Sequence, residues 1–376
     1  MMNGTKNLLI GLGVVLLFCL GLIFTSIPVF ADPPVVGSQT GTITYGTPGS
    51  ATYTITLSPP LSGPVTLQII SSLPSGVTPT WGTYNSPGTS TFTLNYDGST
   101  SAGGPTIAGS TIFTIQAKDG TNTLTNTGTL YITPATLAVN GLSASNKTYD
   151  GNTNAAITGS GSLGGVISGD TVNLGGTPVG SFVDKNVGNN KTVTISGLSL
   201  SGTDSGNYTL TPPSTTANIT QRSITVTAGS SSKTYDGLLT STDTPTLTAG
   251  TLASGDTGTW VETYDNKNVG TTHVMTPSGT VKDGSSTDVT ANYNITFTPI
   301  STGIISQRSI TVTAGASSKT YDGLLTSPGT PTVTTGTLGT GDTGNWVETY
   351  DNKNVGTSHV MTVTPAVVND GNGGAN

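Results

Sequence analysis

The sequence predicts an all-β protein made of tandem antiparallel sandwiches, strung as beads, and three observations carry that expectation. The first is alternation. Ala51-Thr52-Tyr53-Thr54-Ile55-Thr56-Leu57, Ser90-Thr91-Phe92-Thr93-Leu94-Asn95-Tyr96 and Thr111-Ile112-Phe113-Thr114-Ile115 place apolar residues at every second position. That period suits strands with one buried face. The second is punctuation: Pro59-Pro60, Pro87-Gly88 and Gly103-Gly104-Pro105 fall between these runs, where turns belong. Outside the N-terminal segment no window has helical periodicity. The third is an internal repeat of 86 residues, in which Gln221-Arg222-Ser223-Ile224-Thr225-Val226 returns as Gln307-Arg308-Ser309-Ile310-Thr311-Val312.

The repeat sets the domain plan. Positions 221–276 and 307–362 differ at 9 of 56 sites, and an older copy places Lys147-Thr148-Tyr149-Asp150-Gly151 86 residues before Lys233-Thr234-Tyr235-Asp236-Gly237. A unit this long recurring in tandem reads as a small domain repeated. The plan is a leader at 1–31, a first sandwich at 33–133, and repeats at 134–219, 220–305 and 306–376. Ala375-Asn376 matches Ala291-Asn292, which precede Tyr293. Repeat three is therefore read as incomplete, lacking its last strand, and is expected to be poorly stable alone. The joints repeat as well. Ile132-Thr133-Pro134-Ala135, Ile219-Thr220-Gln221-Arg222 and Ile305-Ser306-Gln307-Arg308 read as a last strand running straight into the next first strand. Such short links favour a semi-rigid rod over a floppy chain.

The N-terminus reads as an export signal. Lys6 supplies positive charge, Leu8 to Phe24 is an uncharged apolar run, and Val29-Phe30-Ala31 precedes Asp32 as a cleavage site. An uncleaved anchor is the alternative, since the run approaches spanning length. Phe18 argues against lipidation of Cys19, because a lipoprotein site wants a small residue there. Cleavage after Ala31 leaves 11 basic and 19 acidic residues and no cysteine. Disulfides and thiolate chemistry are then excluded. Only 8% of all residues are charged and the net charge is -7. Lysines and arginines are scattered singly, which speaks against nucleic-acid partners.

Repeat one is the most diverged, so what it shares with its neighbours is informative. It shares Lys-Thr-Tyr-Asp-Gly, a Gly-Asp pair (Gly169-Asp170, Gly255-Asp256), Lys-Asn-Val-Gly (185–188, 267–270) and Asn-Tyr (207–208, 292–293). Asp204-Ser205-Gly206-Asn207-Tyr208 has the spacing of a tyrosine corner, which pins a late strand of Ig-like sandwiches, and Tyr293 holds the same position in repeat two. The fold expected is thus tandem Ig-like β-sandwich domains. Tyr149-Asp150-Gly151, Tyr235-Asp236-Gly237 and Tyr321-Asp322-Gly323 read as a strand end and turn, or as an exposed binding loop repeated along the chain. Trp260, Glu262 and Tyr264 share one strand face, with Trp346 the counterpart of Trp260. They read as a core tryptophan position or as a sugar-stacking surface.

Other chemistry finds little support. His273 and His359 are the only histidines and have no ligand spacing around them; they read as surface strand residues. Asp283-Gly284-Ser285-Ser286-Thr287-Asp288 lacks the spacing of a calcium loop and reads as a turn. Lys233, Asp236, Glu262, Lys267 and Asn268 raise the possibility of a Lys–Asn or Lys–Asp crosslink. No nucleophile–base arrangement or phosphate-cradling loop is evident, so no enzyme and no cofactor is expected.

The Lys-Thr-Tyr-Asp-Gly, Lys-Asn-Val-Gly and Asn-Tyr-Thr-Leu elements of 134–376 resemble the YDG and MBG (mostly bacterial Ig-like) repeats of large secreted bacterial surface proteins, including filamentous haemagglutinin-like adhesins. Residues 33–133 resemble a generic bacterial Ig-like domain. The resemblance implies stalk modules without catalytic residues, at the cell surface or secreted. Partners implied are host or cell-surface glycans or proteins. A membrane would be met only through the signal segment or an anchor beyond 376. The rival expectation is that the repeats themselves bind glycan or host protein.

Overall fold

The computed structural model describes residues 32–58, 61, 64–82, 84, 88–100, 106–120, 122–364 and 368–371. The leader at 1–31, the Pro59-Pro60 and Gly103-Gly104-Pro105 signals and Ala375-Asn376 lie outside the described residues. Among the described residues every regular element is a strand, apart from two single-turn 3-10 helices at Ser205–Asn207 and Thr290–Asn292. The protein is all-β. It packs as two compact units. One holds residues up to Ala135 with Ile167–Val172 and Gly202–Thr209; the other holds Thr136–Val166, Asn173–Ser201 and Leu210–Asn376. Repeat one contributes to both.

In the first unit two four-stranded sheets form a sandwich. One runs in the order Val35–Val36, Gly49–Leu57, Gly88–Tyr96, Val77–Trp81, and the other Ile43–Thr44, Asn122–Thr133, Gly109–Asp119, Val65–Ile69. Alternation decides which side chains face inward. Ala51, Tyr53, Ile55 and Leu57 are buried from one strand, Phe92 and Leu94 from its neighbour, and Phe113, Ile115, Leu130 and Ile132 from the facing sheet. Tyr53 stacks on Phe92 at 5.1 Å between ring centroids, and Phe113 meets both edge-on at 5.2 and 5.8 Å. The Tyr53 hydroxyl crosses the sandwich to donate to Thr129 O at 2.9 Å. That bond satisfies a polar atom that burial would otherwise penalise.

In the second unit the repeats reuse one sheet order. Repeat one has Lys147–Thr148, Ser214–Thr220, Gly188–Ser201, Asn173–Phe182 and Asn154–Ala155; repeat two has Ser232–Thr234, Ile300–Ser306, Gly270–Lys282 and Thr257–Tyr264. A short early strand runs parallel to the last strand in both, with Lys147 opposite Ile219 and Lys233 opposite Ile305. Each repeat also has a three-stranded second sheet: Ser162–Gly164, Ala135–Asn140 and Tyr208–Leu210 in repeat one, and Thr246–Ala249, Arg222–Thr227 and Tyr293–Thr298 in repeat two. Gln221 alone separates Ser214–Thr220 from Arg222–Thr227. Its Nε2 donates to Ala291 O and Tyr293 O, at 3.1 and 3.3 Å. Neighbouring beads also share a core. Tyr149, Phe182, Val193 and Ile219 of repeat one form a single cluster with Ile224, Ala253, Val281, Val289 and Tyr293 of repeat two. Repeat three keeps only two-stranded pairings among the described residues: Thr311–Thr313 with Thr332–Thr335, Thr343–Gly344 with Val368–Asn369, and Val347–Tyr350 with Met361–Thr364.

Phe113 and Ile112 are adjacent, yet Phe113 is fully buried and Ile112 is 67% exposed. Phe113→Ala should destabilise the first unit by about 3–5 kcal/mol, whereas Ile112→Ala should stay within about 0.5 kcal/mol. Denaturant unfolding of the two variants measures the difference.

Candidate functional site

The four motifs shared by the repeats meet at the joint between one repeat and the next. The assembly starts from the Tyr-Asp-Gly turn. The short strand before it pairs with the last strand of its own repeat, so Tyr149 N donates to Thr220 O and Tyr235 N to Ser306 O, both at 2.9 Å. Gly151, Gly237 and Gly323 take φ of 84°, 79° and 75°, a left-handed turn conformation that favours glycine. Asp150 Oδ1 accepts from Asn152 N at 3.1 Å; Asp236 and Asp322 accept in the same way from Leu238 N and Leu324 N at 2.9 Å. Lys147, Lys233 and Lys319 each place Nζ 2.8 Å from the carboxylate three residues on. Their ammonium groups also sit over Phe182, Tyr264 and Tyr350, at 5.4, 4.9 and 5.4 Å, a cation–π contact. Burial acts to raise the Asp150 and Asp236 pKa, but the lysine and amide bonds outweigh it and hold both below the usual range.

This turn aims its tyrosine at the following repeat. The Tyr149 hydroxyl lies 3.1 Å from Asp256 Oδ2, and the Tyr293 hydroxyl donates to the same oxygen at 2.7 Å. The two rings meet edge to face at 5.4 Å. Tyr293 Oη accepts from Ala253 N at 2.9 Å while it donates to Asp256, so its donor and acceptor capacity are both used. Asp256 owes its position to a tight turn: its amide donates to Ala253 O at 3.1 Å, with Gly255 at φ 85°. The first unit repeats the arrangement. Tyr45 and Tyr208 donate to Asp170 Oδ2 at 2.7 and 2.6 Å, their rings 5.5 Å apart edge to face, and Tyr208 Oη accepts from Ile167 N at 3.1 Å. A third instance begins with Tyr235 Oη and Asp342 Oδ1 at 2.9 Å.

The remaining two motifs complete the joint. Asn292 Oδ1 accepts from Val187 N at 2.9 Å and its Nδ2 donates to Asn186 Oδ1 at 3.0 Å. The Asn-Tyr pair of repeat two therefore grips the Lys-Asn-Val-Gly stretch of repeat one. Lys185 pairs with Asp283 at 2.7 Å. In the first unit Asn207 Oδ1 accepts from Ile107 N and Ala108 N at 2.7 and 2.9 Å. The arginine that opens repeats two and three joins in, with Arg222 Nη1 donating to Tyr149 O at 3.3 Å and Arg308 Nη1 to Tyr235 O at 3.1 Å.

Other residues singled out from the sequence fall elsewhere. Tyr208 and Tyr293 differ from a tyrosine corner in one respect: the corner hydroxyl reaches backbone a few residues upstream, whereas Tyr208 reaches Ile167 and Tyr293 reaches Ala253, 41 and 40 positions away. Trp260 is half-buried, edge to face with Phe297 at 6.1 Å. Trp346 is half-buried too. Glu262 turns inward, accepting from Gly229 N at 2.7 Å and Ser241 Oγ at 3.0 Å. It offers no carboxylate beside the indole for a sugar. Lys233 and Glu262 serve separate networks, and Lys267 Nζ donates to Asp370 O. Of the crosslink candidates, Lys233 and Asp236 form an ion pair at 2.8 Å, while Glu262 bonds Gly229 and Ser241. His273 is buried, against the surface reading, with Nδ1 2.8 Å from Asp265 Oδ1. The stretch from Asp283 is a turn whose carboxylate caps Ser285 N and Thr287 N. Among the described residues no group of three or more His, Cys, Asp or Glu could hold a metal. Tyr45 and the role of the Gly-Asp pair were missed. The signal available was Tyr45-Gly46 following Ile43-Thr44, a worn copy of the Thr-Tyr-Asp-Gly turn.

Asp256→Ala strands two hydroxyl donors and should cost about 2–4 kcal/mol, while Tyr149→Phe removes one donor and should cost about 1–2 kcal/mol. The double variant should be less than additive. Exchange of the Ala253 amide reads the loss locally. Burial first, then the bond to Asp256, pushes the Tyr149 pKa from 10.0 up to about 12; burial and the bond to Asp256 also raise Tyr293, and burial and the bond to Asp170 raise Tyr208. The folded state holds these protons more tightly, so their contribution is intact below pH 10 and lost as pH climbs from about 10 to 12. Unfolding midpoints measured across that window should fall, and should fall less in Tyr149→Phe.

Residues 133–217 match the YDG domain family. No curated protein matches the chain in sequence. Among solved structures, three N-terminal domains of the bacteriophage RB49 highly immunogenic outer capsid protein align at 12% identity and a TM-score of 0.26, covering 73% of this chain and all of that one. Domains 4–9 of the surface layer protein SbsC align at 15% identity and a TM-score of 0.18, covering 88% of this chain and 58% of that one.

Proposed function

We propose that this chain is part of an exported bacterial surface protein of adhesin type, in which tandem Ig-like repeats act as a structural stalk. The observation that carries this reading is where the shared motifs lie. Tyr149, Asp256, Asn186, Val187, Asn292 and Tyr293 are used on one another across a joint, and Tyr149, Asn292 and Tyr293 are buried there. Residues kept for a ligand would face solvent instead. Ligand recognition then belongs to another part of the protein, and the repeats catalyse nothing. The leader at 1–31 supports export. Among the described residues no helix is long and apolar enough to cross a membrane.

The second reading, that the repeats bind glycan or host protein, draws on the partial exposure of Trp260 and Trp346. Two measurements separate the readings. Expressed with its leader in a bacterial host, the chain should be recovered outside the cytoplasm with a mass beginning at Asp32; retention inside with Met1 would overturn export. On a glycan array the exported chain should bind nothing. Binding abolished by Trp260→Ala would overturn the stalk in favour of the repeats as ligand surface.

A further inference from the structure

The glycine of the Lys-Asn-Val-Gly stretch is not required by its backbone. Gly188, Gly270 and Gly356 all lie outside the left-handed region. What excludes a larger residue is a basic side chain three positions on. An added Cβ would lie 3.2 Å from Lys191 Cδ, 2.8 Å from His273 Nε2 and 3.1 Å from His359 Nε2. Each basic side chain reaches a carboxylate near the start of the same loop. Lys191 Nζ lies 2.5 Å from Asp184 Oδ1, His273 Nδ1 2.8 Å from Asp265 Oδ1, and His359 Nδ1 2.7 Å from Asp351 Oδ1. The three repeats thus build one basic site behind one loop. Repeat one fills it with an amine, and repeats two and three with an imidazole. The next repeat grips the same loop. Asn186 and Val187 bond to Asn292, Lys185 pairs with Asp283, and Lys267 Nζ donates to Asp370 O.

The surroundings of His273 show what its proton does. Asp265 is the carboxylate that contacts the ring. Burial acts to raise the Asp265 pKa, but the bonds from His273 and Asn266 outweigh it and hold it below the usual range. The bond from Lys191 lowers Asp184 and the bond from His359 lowers Asp351 in the same way. A carboxylate only accepts, so Nδ1 donates and the second proton belongs to Nε2, which is buried. Tyr264 meets the ring edge-on at 5.8 Å. Gly303 faces His273 from Ile300–Ser306, a strand with no titratable side chain. Lys233 sits over Tyr264 at 4.9 Å and is paired with Asp236. We propose that the site is a proton-gated anchor, which holds the gripped loop of repeats two and three when the histidine is an imidazolium and loosens it when that proton leaves. Charged donors bond a carboxylate more strongly than neutral ones. The proton favours the anchored loop, so anchoring is present at low pH and is lost as pH rises through about 5 to 8, where imidazoles titrate. An amine titrates far above that range, so repeat one lacks the response. The inference rests on neither reading of the chain's function.

Amide exchange of the intact chain at about pH 5.5 and pH 8, corrected for the intrinsic rate, tests the anchor. Residues 265–270 are expected to exchange about three- to tenfold faster at the higher pH, the difference between a charged and a neutral hydrogen bond. Residues 183–188 should not change. His273→Lys should protect 265–270 at both pH values, and His273→Gln should leave them fast at both. Lys191→His should carry the response into 183–188, a second test should a variant at 273 misfold. The proposal is overturned if 265–270 ignore pH or exchange faster at low pH. It is equally overturned if either variant at 273 keeps the original response, or if Lys191→His gains none.

Discussion

A carboxylate shared by two tyrosine hydroxyls from different repeats is the interaction on which the rest of the structure depends. Asp256 accepts from Tyr149 of the preceding repeat and from Tyr293 of its own. Bonds to an ionised acceptor are stronger than neutral ones, and this one also orients two large rings edge to face. Each ring is buried, so each carries apolar area into the joint along with its hydroxyl. The aspartate fixes where those two areas meet. Without it, two buried hydroxyls would lack an acceptor, a loss larger than the bond's net contribution.

The consequence is a chain whose packing is continuous across the joint. The cluster from Tyr149 to Tyr293 spans the end of one repeat and the start of the next. With Cys19 as the only cysteine in the sequence, no disulfide within the chain can hold small domains together, and a small domain alone buries little of its surface. Sharing a core offsets that limit. Arrays of this kind gain stability from nearest-neighbour interfaces as much as from each unit. The contrast between Tyr235 and Tyr321 shows the same thing from the other side: one turn sequence gives a buried tyrosine where a neighbour covers it and an exposed one where none of the described residues does.

How far the residues spoke for themselves varied with the range of the interaction. Alternation in 51–57 and 90–96 is local, and it places Tyr53, Ile55, Phe92 and Leu94 inward without further information. The Tyr-Asp-Gly turn is local too, because Asp236, Gly237 and Leu238 close it among themselves. The four shared motifs were legible as motifs. Their common purpose was not, since Tyr149 and Asp256 lie 107 positions apart and nothing in the spacing says that they touch. His273 shows the same limit, because its burial comes from strands that pair on either side of it.

The sequence by itself determined an all-β chain, a period of 86 residues and the set of side chains worth watching, because propensity, alternation and repetition are written in neighbouring positions. Tertiary structure alone decided that those side chains join repeats to one another and that Glu262 turns inward to accept from Gly229 N and Ser241 Oγ. The physical reason is that hydrogen bonds and burial across a joint depend on which distant residues are brought within 3 Å, and only the folded chain sets that distance.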